Sequence, residues 1–459
     1  MKPSHNIRPV FDDPNLVSAA GLVPVLRLGE EAGLHQGLEE GLGVGSPNAA
    51  AKAVGVIGGM LAGADCIDHL DLVRRDGMGR VFTQVRAPST YGTFLRSFTH
   101  GHVQQLDKVG AQTLAALSAR VPGLLGSGRD LAFVDIDDTV RQVHGYAKQA
   151  AAFGYTRQRG LNIQLTTVST QDCPPVIARA RLRRGNVASA AGVGRMLAQA
   201  LTTARAAGVS GRVLARADSA YYGWAFVGAA IRHQAWFSVT ARMTSTVTAA
   251  IASIDQDAWT TIAYPHAVWE DTGDGEGYWV SDAEVAEVPF VAFTGRRKAE
   301  HVPCRLVVRR VRRHQKLASD GTVQGELFAS WRHHAFITDS ALDTVTADQT
   351  HRAHAVVEQV IAELKDGPLA HLPSGSYAAN AAWVSLAVIA FNLARAAAVA
   401  ADLRTARWAT LRERLIKLPA RIARTARRLD LHLPEHWPWQ TNWHALWATA
   451  TGPPRPLTP

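Results

Sequence analysis

The sequence predicts an α/β protein with a helical N-terminal third, a β-rich insertion and a basic C-terminal tail expected to be helical. Three observations carry that reading. Apolar residues keep helical spacing as far as Val121, and short apolar runs ending on acids then alternate with helical segments. Between Thr244 and Arg332 the pattern instead alternates as strands do. The expected organisation is a helical domain over 1–125, a core in two parts over 126–243 and 333–402, an insertion over 244–332 and a basic helical region over 403–459.

Each element has a local reason. Ser89 and Thr90 can cap a helix holding Phe94 and Phe98, and a second amphipathic helix carries Leu106, Val109, Leu114, Leu117 and Val121 until Pro122 stops it. The run Leu131-Ala132-Phe133-Val134 enters Asp135-Ile136-Asp137-Asp138-Thr139, a buried strand delivering acids at its end. Residues 162–169 and 176–182 read as further strands, the second closing on Arg183-Arg184-Gly185-Asn186, whose Gly-Asn pair suits a turn. Residues 189–207 read as helix, 212–217 as a strand ending at Asp218, 224–233 as helix and 235–240 as strand. After the insertion, 334–338 is a strand, and one long helix beginning near Ala347 carries Glu358 and Lys365.

Composition narrows the classes. With 49 Lys plus Arg against 39 Asp plus Glu, the chain has a formal charge of +10 and a pI near 9.8, which points to polyanionic partners. An apolar share of 47% excludes wholesale disorder. Cys66, Cys173 and Cys304 form neither a CxxC pair nor a disulfide framework, so a reducing, cytoplasmic location is expected and a structural zinc site is not. The stretch from Met1 to Leu16 lacks the apolar core of a signal peptide. The apolar run 378–394 is interrupted by Asn380 and Asn392 and followed by Arg395, so it reads as a buried helix and no membrane partner is expected.

Three acidic positions stand at the ends of elements or on the late helix: the Asp135/Asp137/Asp138 cluster, Asp218 and Glu358. Phosphoryl transfer without a covalent intermediate needs such a set, because carboxylates must hold divalent cations against the attacking and leaving oxygens. In an extended strand Asp135 and Asp137 share one face and Asp138 takes the other. Lys365 follows Glu358 by two helical turns, close enough for a metal-binding carboxylate and a phosphate-binding amine to serve one nucleic-acid strand. Taken singly, each acid also fits a cap or an arginine partner, and the pairs His333/His334 and His351/His354 fit a helix face or a core.

The succession Phe133 to Thr139, Leu182 to Asn186, Arg216-Ala217-Asp218-Ser219-Ala220-Tyr221 and Glu358-Gln-Val-Ile-Ala-Glu-Leu-Lys365 resembles the bacterial insertion-sequence transposases with an Asp-Asp-Glu triad, specifically the IS-thirteen-eighty group. The resemblance runs from about Ser18 to Trp447. It implies a ribonuclease-H-like catalytic core and a bacterial, nucleoid-associated enzyme that cleaves the terminal inverted repeats of its element and joins them to target DNA. It also implies two Mg²⁺ ions, with Mn²⁺ as substitute, held by Asp137, Asp218 and Glu358, possible assistance from Asp135 and Asp138, and a homodimer on paired double-stranded ends. Related transposases place Tyr and Arg seven and four residues before the Glu and Lys seven after it. Here those places hold His351, His354 and Lys365, with Arg352 available to substitute.

Two rival readings stay open on the sequence. Asp135-x-Asp137-x-Thr139 after an apolar run also fits a haloacid-dehalogenase-like phosphohydrolase, with Asp135 as nucleophile. A non-catalytic DNA-binding protein would use the tail, where nine cations from Arg404 to Arg428, among them Arg412, Arg421, Arg424 and Arg428, face only Glu413. Trp269, Trp279 and Trp331 in the insertion suit either stacking on an unpaired base or core packing.

Overall fold

The computed structural model describes residues 7–126, 129–144, 147–271, 277–312, 331–424 and 428–452, and the side chains of these outside 265–281. In chain order the N-terminal part comprises β1 (Leu16–Val17), α1 (Leu22–Glu31), α2 (Leu34–Gly41), α3 (Ala49–Ala62), α4 (Met78–Val81), α5 (Pro88–Arg96) and α6 (His100–Arg120). The expected helix through Phe98 ends earlier. Pro88 starts α5, and Thr99 opens α6 through a capping box in which its backbone N–H donates to His102 Nδ1 at 3.2 Å.

The core follows with β2 (Leu131–Gln142), β3 (Ala152–Phe153), β4 (Arg159–Thr170), β5 (Val176–Arg184), α7 (Val193–Ala206), β6 (Arg212–Ala217), α8 (Trp224–Arg232) and β7 (Trp236–Thr240). Strands β2, β4 and β5 form an antiparallel meander, while β6 pairs with β2 and β7 with β6 in parallel. The core sheet therefore runs β5-β4-β2-β6-β7, with β3 beside β5 on the outer edge of β4. Close approach at that edge demands glycine at 185, because a Cβ there would sit 2.0 Å from the Gly160 carbonyl oxygen.

The insertion is not a separate layer. It contributes α9 (Ser245–Ala252), β8 (Thr260–Asp271), β9 (Gly277–Ala292) and β10 (Val302–Arg312), and β11 (Trp331–Thr338) follows as the first strand of the second part of the core. Antiparallel pairing of β11 with β7 continues the same sheet through β10, β9 and β8.

The predicted long helix is broken into α10 (Thr344–Arg352), a 3₁₀ turn over Ala353–Ala355 and α11 (Val356–Lys365). The inward positions 351, 354, 357 and 360 are spaced by three, the period of the tighter helix, so a local overwinding lets both halves face the sheet. Helix α11 covers the face of β2 that carries Asp137 and Thr139, while Asp138 meets Ser189 at the entry to α7 on the opposite face.

The remaining elements are α12 (Tyr377–Ala400), α13 (Trp408–Leu411), β12 (Ala420–Arg424), β13 (Leu429–His432) and α14 (Gln440–Thr451). The most apolar stretch of α12 is 94% buried inside the protein, so its length and composition reflect a core helix. Its two asparagines are backbone clamps. Asn392 Oδ1 accepts from Ile177 N–H at 2.8 Å and Nδ2 donates to Ile177 C=O at 2.9 Å, satisfying the free edge of β5, and Asn380 does the same for Ser374.

The tail is the expected helical region only in part: α13 and α14 are helices, but two strands stand between them. Residues 420–424 and 429–432 are strands, and β12 pairs with β1, returning the end of the chain to its start. Asp13 lies 3.1 Å from Arg421 and Asp430 lies 2.8 Å from Arg428, so the cations have partners beyond Glu413. Helix α14 packs on α1 and α12, burying Trp443, whose ring stacks on Trp447 at 5.2 Å. One buried apolar cluster runs from Val17 to Ala450, with no break at the expected boundaries near 125 and 403.

Glu363 fastens α11 to this cluster. Arg395 of α12 donates to both its carboxylate oxygens at 2.8 Å, and Trp408 N–H donates to one of them at 2.8 Å. Both side chains are under 10% exposed. Glu363→Ala leaves the Arg395 charge buried without its partner, and urea unfolding is expected to show a loss of about 3–5 kcal/mol. A loss below 1 kcal/mol would contradict that role.

Candidate active site

Parallel pairing of β2 with β6 puts Ile136 opposite Ala217, so Asp137 and Asp218 follow side by side at neighbouring strand positions. Asp218 caps the short helical turn after β6, its Oδ1 accepting from Ala220 N–H at 3.0 Å. Asp137 Oδ1 accepts from the Asp138 N–H at 2.7 Å. Burial pushes the Asp137 carboxyl up to about 6, and the neighbouring Asp218 charge adds to the shift. Burial raises Asp218 as well, against hydrogen bonding from Ala220 and the positive field of His354.

The other two acids of the cluster are structural. Asp135 is fully buried, and Arg216 Nε and Nη2 donate to its two oxygens at 2.7 and 2.8 Å. Despite the cost of burial, Arg216 and His354 hold Asp135 below the usual carboxylate range. Asp138 faces the other side of the sheet, where Arg183 Nη2 lies at 2.5 Å and Asn162 and Ser189 donate at 2.6 and 2.9 Å. Arg183, from the Leu182 to Asn186 block, thus serves the fold.

The helix after β11 supplies the third side of the site. His354 Nδ1 lies 3.5 Å from Asp135 Oδ1, an ion-pair distance without a good hydrogen bond. Burial works against its charged form, but the Asp135 carboxylate outweighs that and holds His354 above the ordinary histidine value. Lys365 lines a small cavity with Thr139, Arg141 and Ile361. Burial lowers its ammonium pKa, Arg141 adds to that, and Asp137 opposes it. His354 and Lys365 therefore both feel Asp137.

Glu358 lies between them on α11, at the first turn, where the helix dipole favours an acid. It also lines a cleft of about 480 Å³ with Gln359, Arg407, Trp408 and Arg412. Among the described residues, the one set of three Cys, His, Asp or Glu donors within 4.8 Å of one another is Asp65, Cys66 and His69, so Asp137, Asp218 and Glu358 are not gathered that closely.

His351 takes no part in this face. Its ring stacks on Phe336 at 4.1 Å and its nitrogens meet Ser238 Oγ at 2.8 Å and Thr240 Oγ1 at 3.0 Å, while burial drives its pKa down to about 3. Arg352 donates to Asp348 at 2.8 Å and lies over the Tyr264 ring. Of the residues expected to touch DNA, Arg421, Arg424 and Arg428 are exposed, and Arg412 is largely covered beside Gly63. Arg310 lies over the rings of Trp259 and Trp331 at 4.1 and 4.4 Å, so Trp331 is a packing residue; the side chains of Trp269 and Trp279 lie outside the described residues.

One site neighbour escaped the sequence reading. Tyr155, exposed in the turn between β3 and β4, has its phenol pKa raised by partial burial and by Asp138, Asp137 and Asp218. Only Gly154 beside it marks that turn in the sequence.

A mixed α/β sheet with two desolvated carboxylates side by side, Asp137 within β2 rather than at its expected end and Asp218 just past the end of β6, defines a protein suited to divalent-metal chemistry on phosphate. The donor set fits such a cation: hard oxygen ligands whose mutual repulsion a positive ion relieves. The family model for the Transposase DDE domain group 1 matches residues 2–450, and the chain belongs to that family of DDE transposases. No curated protein matches it.

The raised Asp137 pKa has a stability consequence. The folded chain holds this proton to higher pH than the unfolded chain, so the contribution is fully present below about pH 4 and is lost as pH rises through about 6. In metal-free buffer Asp137→Asn should therefore be more stable than wild type at pH 7.5, by up to about 3 kcal/mol, with little difference at pH 4. Thermal unfolding at the two pH values checks this, and a variant less stable at pH 7.5 would contradict it.

Proposed function

We propose that the protein is the transposase of a bacterial insertion sequence of the IS-thirteen-eighty group, cleaving the element's terminal inverted repeats and joining the ends to target DNA as a homodimer. The observation that carries the reading is the pairing of Asp137 with Asp218 on adjacent parallel strands, in a chain of the DDE transposase family. Asp137, Asp218 and Glu358 are the proposed ligands, with Glu358 closing toward the two aspartates when DNA is bound. Two Mg²⁺ ions, or Mn²⁺, would activate the attacking oxygen and stabilise the leaving one.

The chain's own residues do the rest. Lys365 places an ammonium beside Asp137, where a scissile phosphate's negative charge would favour it. The Asp135 carboxylate favours the protonated form of His354, which would bring a second positive charge to the same face, the task that the family gives to arginine. Tyr155 offers a hydroxyl at the rim. Arg421 and Arg424 of β12 and Arg428, just before β13, are exposed, a basic strip of the sequence that suits duplex phosphates, and the surface ion pairs of Arg421 and Arg428 are weak enough to exchange. The phosphohydrolase reading is not favoured, because Asp135, its nucleophile, has both oxygens held by Arg216.

With a duplex carrying the terminal repeat and Mg²⁺, Asp137→Ala, Asp218→Ala and Glu358→Ala are each expected to reduce cleavage to background while repeat binding persists. Cleavage at wild-type level by any of them would remove that residue from the site. Replacing Arg421, Arg424 and Arg428 together with Ala should weaken binding of all duplexes and reduce the slope of log K against log salt by about 0.9 for each phosphate that is no longer neutralised. An unchanged slope in the folded variant would make the strip a solvated surface.

A further inference from the structure

A second group of metal-binding side chains lies in the turn between α3 and the short 3₁₀ helix Asp68–Val73. Asp65, Cys66 and His69 bring a carboxylate oxygen, a sulfur and an imidazole nitrogen to within 4.8 Å of one another. His69 Nδ1 lies 2.7 Å from Asp65 Oδ1, and Asp65 Oδ2 lies 3.3 Å from Nδ1 of His371, on the segment that follows α11. Asp65 Oδ1 is buried and makes no hydrogen bond of good geometry, although an imidazole nitrogen stands next to it.

The backbone N–H groups of Asp68 and His69 are directed at Cys66 and favour its thiolate, the form in which sulfur binds a metal. Burial and the Asp65 charge oppose them and leave the thiol raised. A cation among these groups would favour the thiolate against both. Cys173 differs, its Sγ donating to the Gly123 carbonyl at 2.6 Å, and Cys304 is half-buried in the sheet, where desolvation pushes its thiol up to about 12.

We propose that Asp65, Cys66 and His69, completed by His371, form a Zn²⁺ site that ties the N-terminal helices to the segment after α11. The donors are one sulfur, two imidazoles and one carboxylate, a set that suits four-coordinate zinc. Mg²⁺ and Mn²⁺ prefer all-oxygen sites, so this site and the Asp137/Asp218 pair take different ions. His69 and His371 are more than half exposed, which gives the metal access and lets His371 turn its ring from Asp65 to the ion. No CxxC pair marks the site in the sequence, because only one donor is a cysteine and the fourth, His371, is distant along the chain.

Co²⁺ titration of the full chain in excess Mg²⁺ tests this. One equivalent should produce a thiolate-to-cobalt charge-transfer band with the intense visible bands of tetrahedral Co²⁺, and Zn²⁺ should abolish both. Cys66→Ser should lose the charge-transfer band, and His69→Ala and His371→Ala, at exposed positions that the fold tolerates, should each weaken Co²⁺ binding by about tenfold or more. Asp218→Asn should leave the spectrum unchanged. Absence of the band in the wild-type protein, its persistence in Cys66→Ser, or unaltered affinity in both histidine variants would overturn the proposal and leave Asp65 as a simple acceptor for two imidazoles.

Discussion

The arrangement of the site depends on one buried ion pair. Asp135 on β2 and Arg216 on β6 are register partners, joined through both carboxylate oxygens, with Arg216 also lying over the Phe133 ring at 4.2 Å. The same guanidinium donates to the Thr350 carbonyl at 2.6 Å, and Asp135 faces His354. Two strands and the broken helix are thus tied at one point. A shift of one residue in the β2/β6 register would leave two charges unpaired in the interior, at a cost of several kcal/mol, so the register is held. Two positions beyond that pair stand Asp137 and Asp218.

The acids divide by partner. Asp135, Asp138 and Glu363 are each matched by a buried arginine, respectively Arg216, Arg183 and Arg395, and each fastens one element to the next. Asp137 and Asp218 are left with backbone N–H donors and each other, in a setting that burial makes costly for negative charge. Neutralised acids hold the scaffold and destabilised ones point to chemistry, because a carboxylate held in repulsion gains most from a cation.

Much of this was legible in the sequence. The strands at Leu131, Asn162, Val176, Arg212 and Ala235 follow from apolar runs bounded by turn residues, and alternation correctly sent Asp138 to the face opposite Asp137. Alternation alone did not separate Asp135 from Asp137, since both lie on one face; the distinction is made by Arg216, 81 residues away. The break in the Glu358 helix was hidden because no proline or glycine marks it, only a change in the phase of buried positions. The tail is helical in part, as expected, but its two strands and the partners of its cations were not legible locally, because Asp13 comes alongside Arg421 only when β12 pairs with β1. The insertion reads as strands, but its continuation of the core sheet depends on the long-range pairing of β11 with β7.

The central proposal is that Asp137, Asp218 and Glu358 come together around the divalent-metal site when DNA is bound. Fe²⁺ replacing Mg²⁺, followed by ascorbate and peroxide, generates hydroxyl radicals at the metal and cuts the nearby backbone, so peptide mapping of the DNA-bound protein locates the ion. The expected cuts fall around residues 135–139, 217–220 and 356–360, suppressed by excess Mg²⁺. Cuts confined to other segments, or cuts at the two strands with none in the Glu358 helix, would contradict the account.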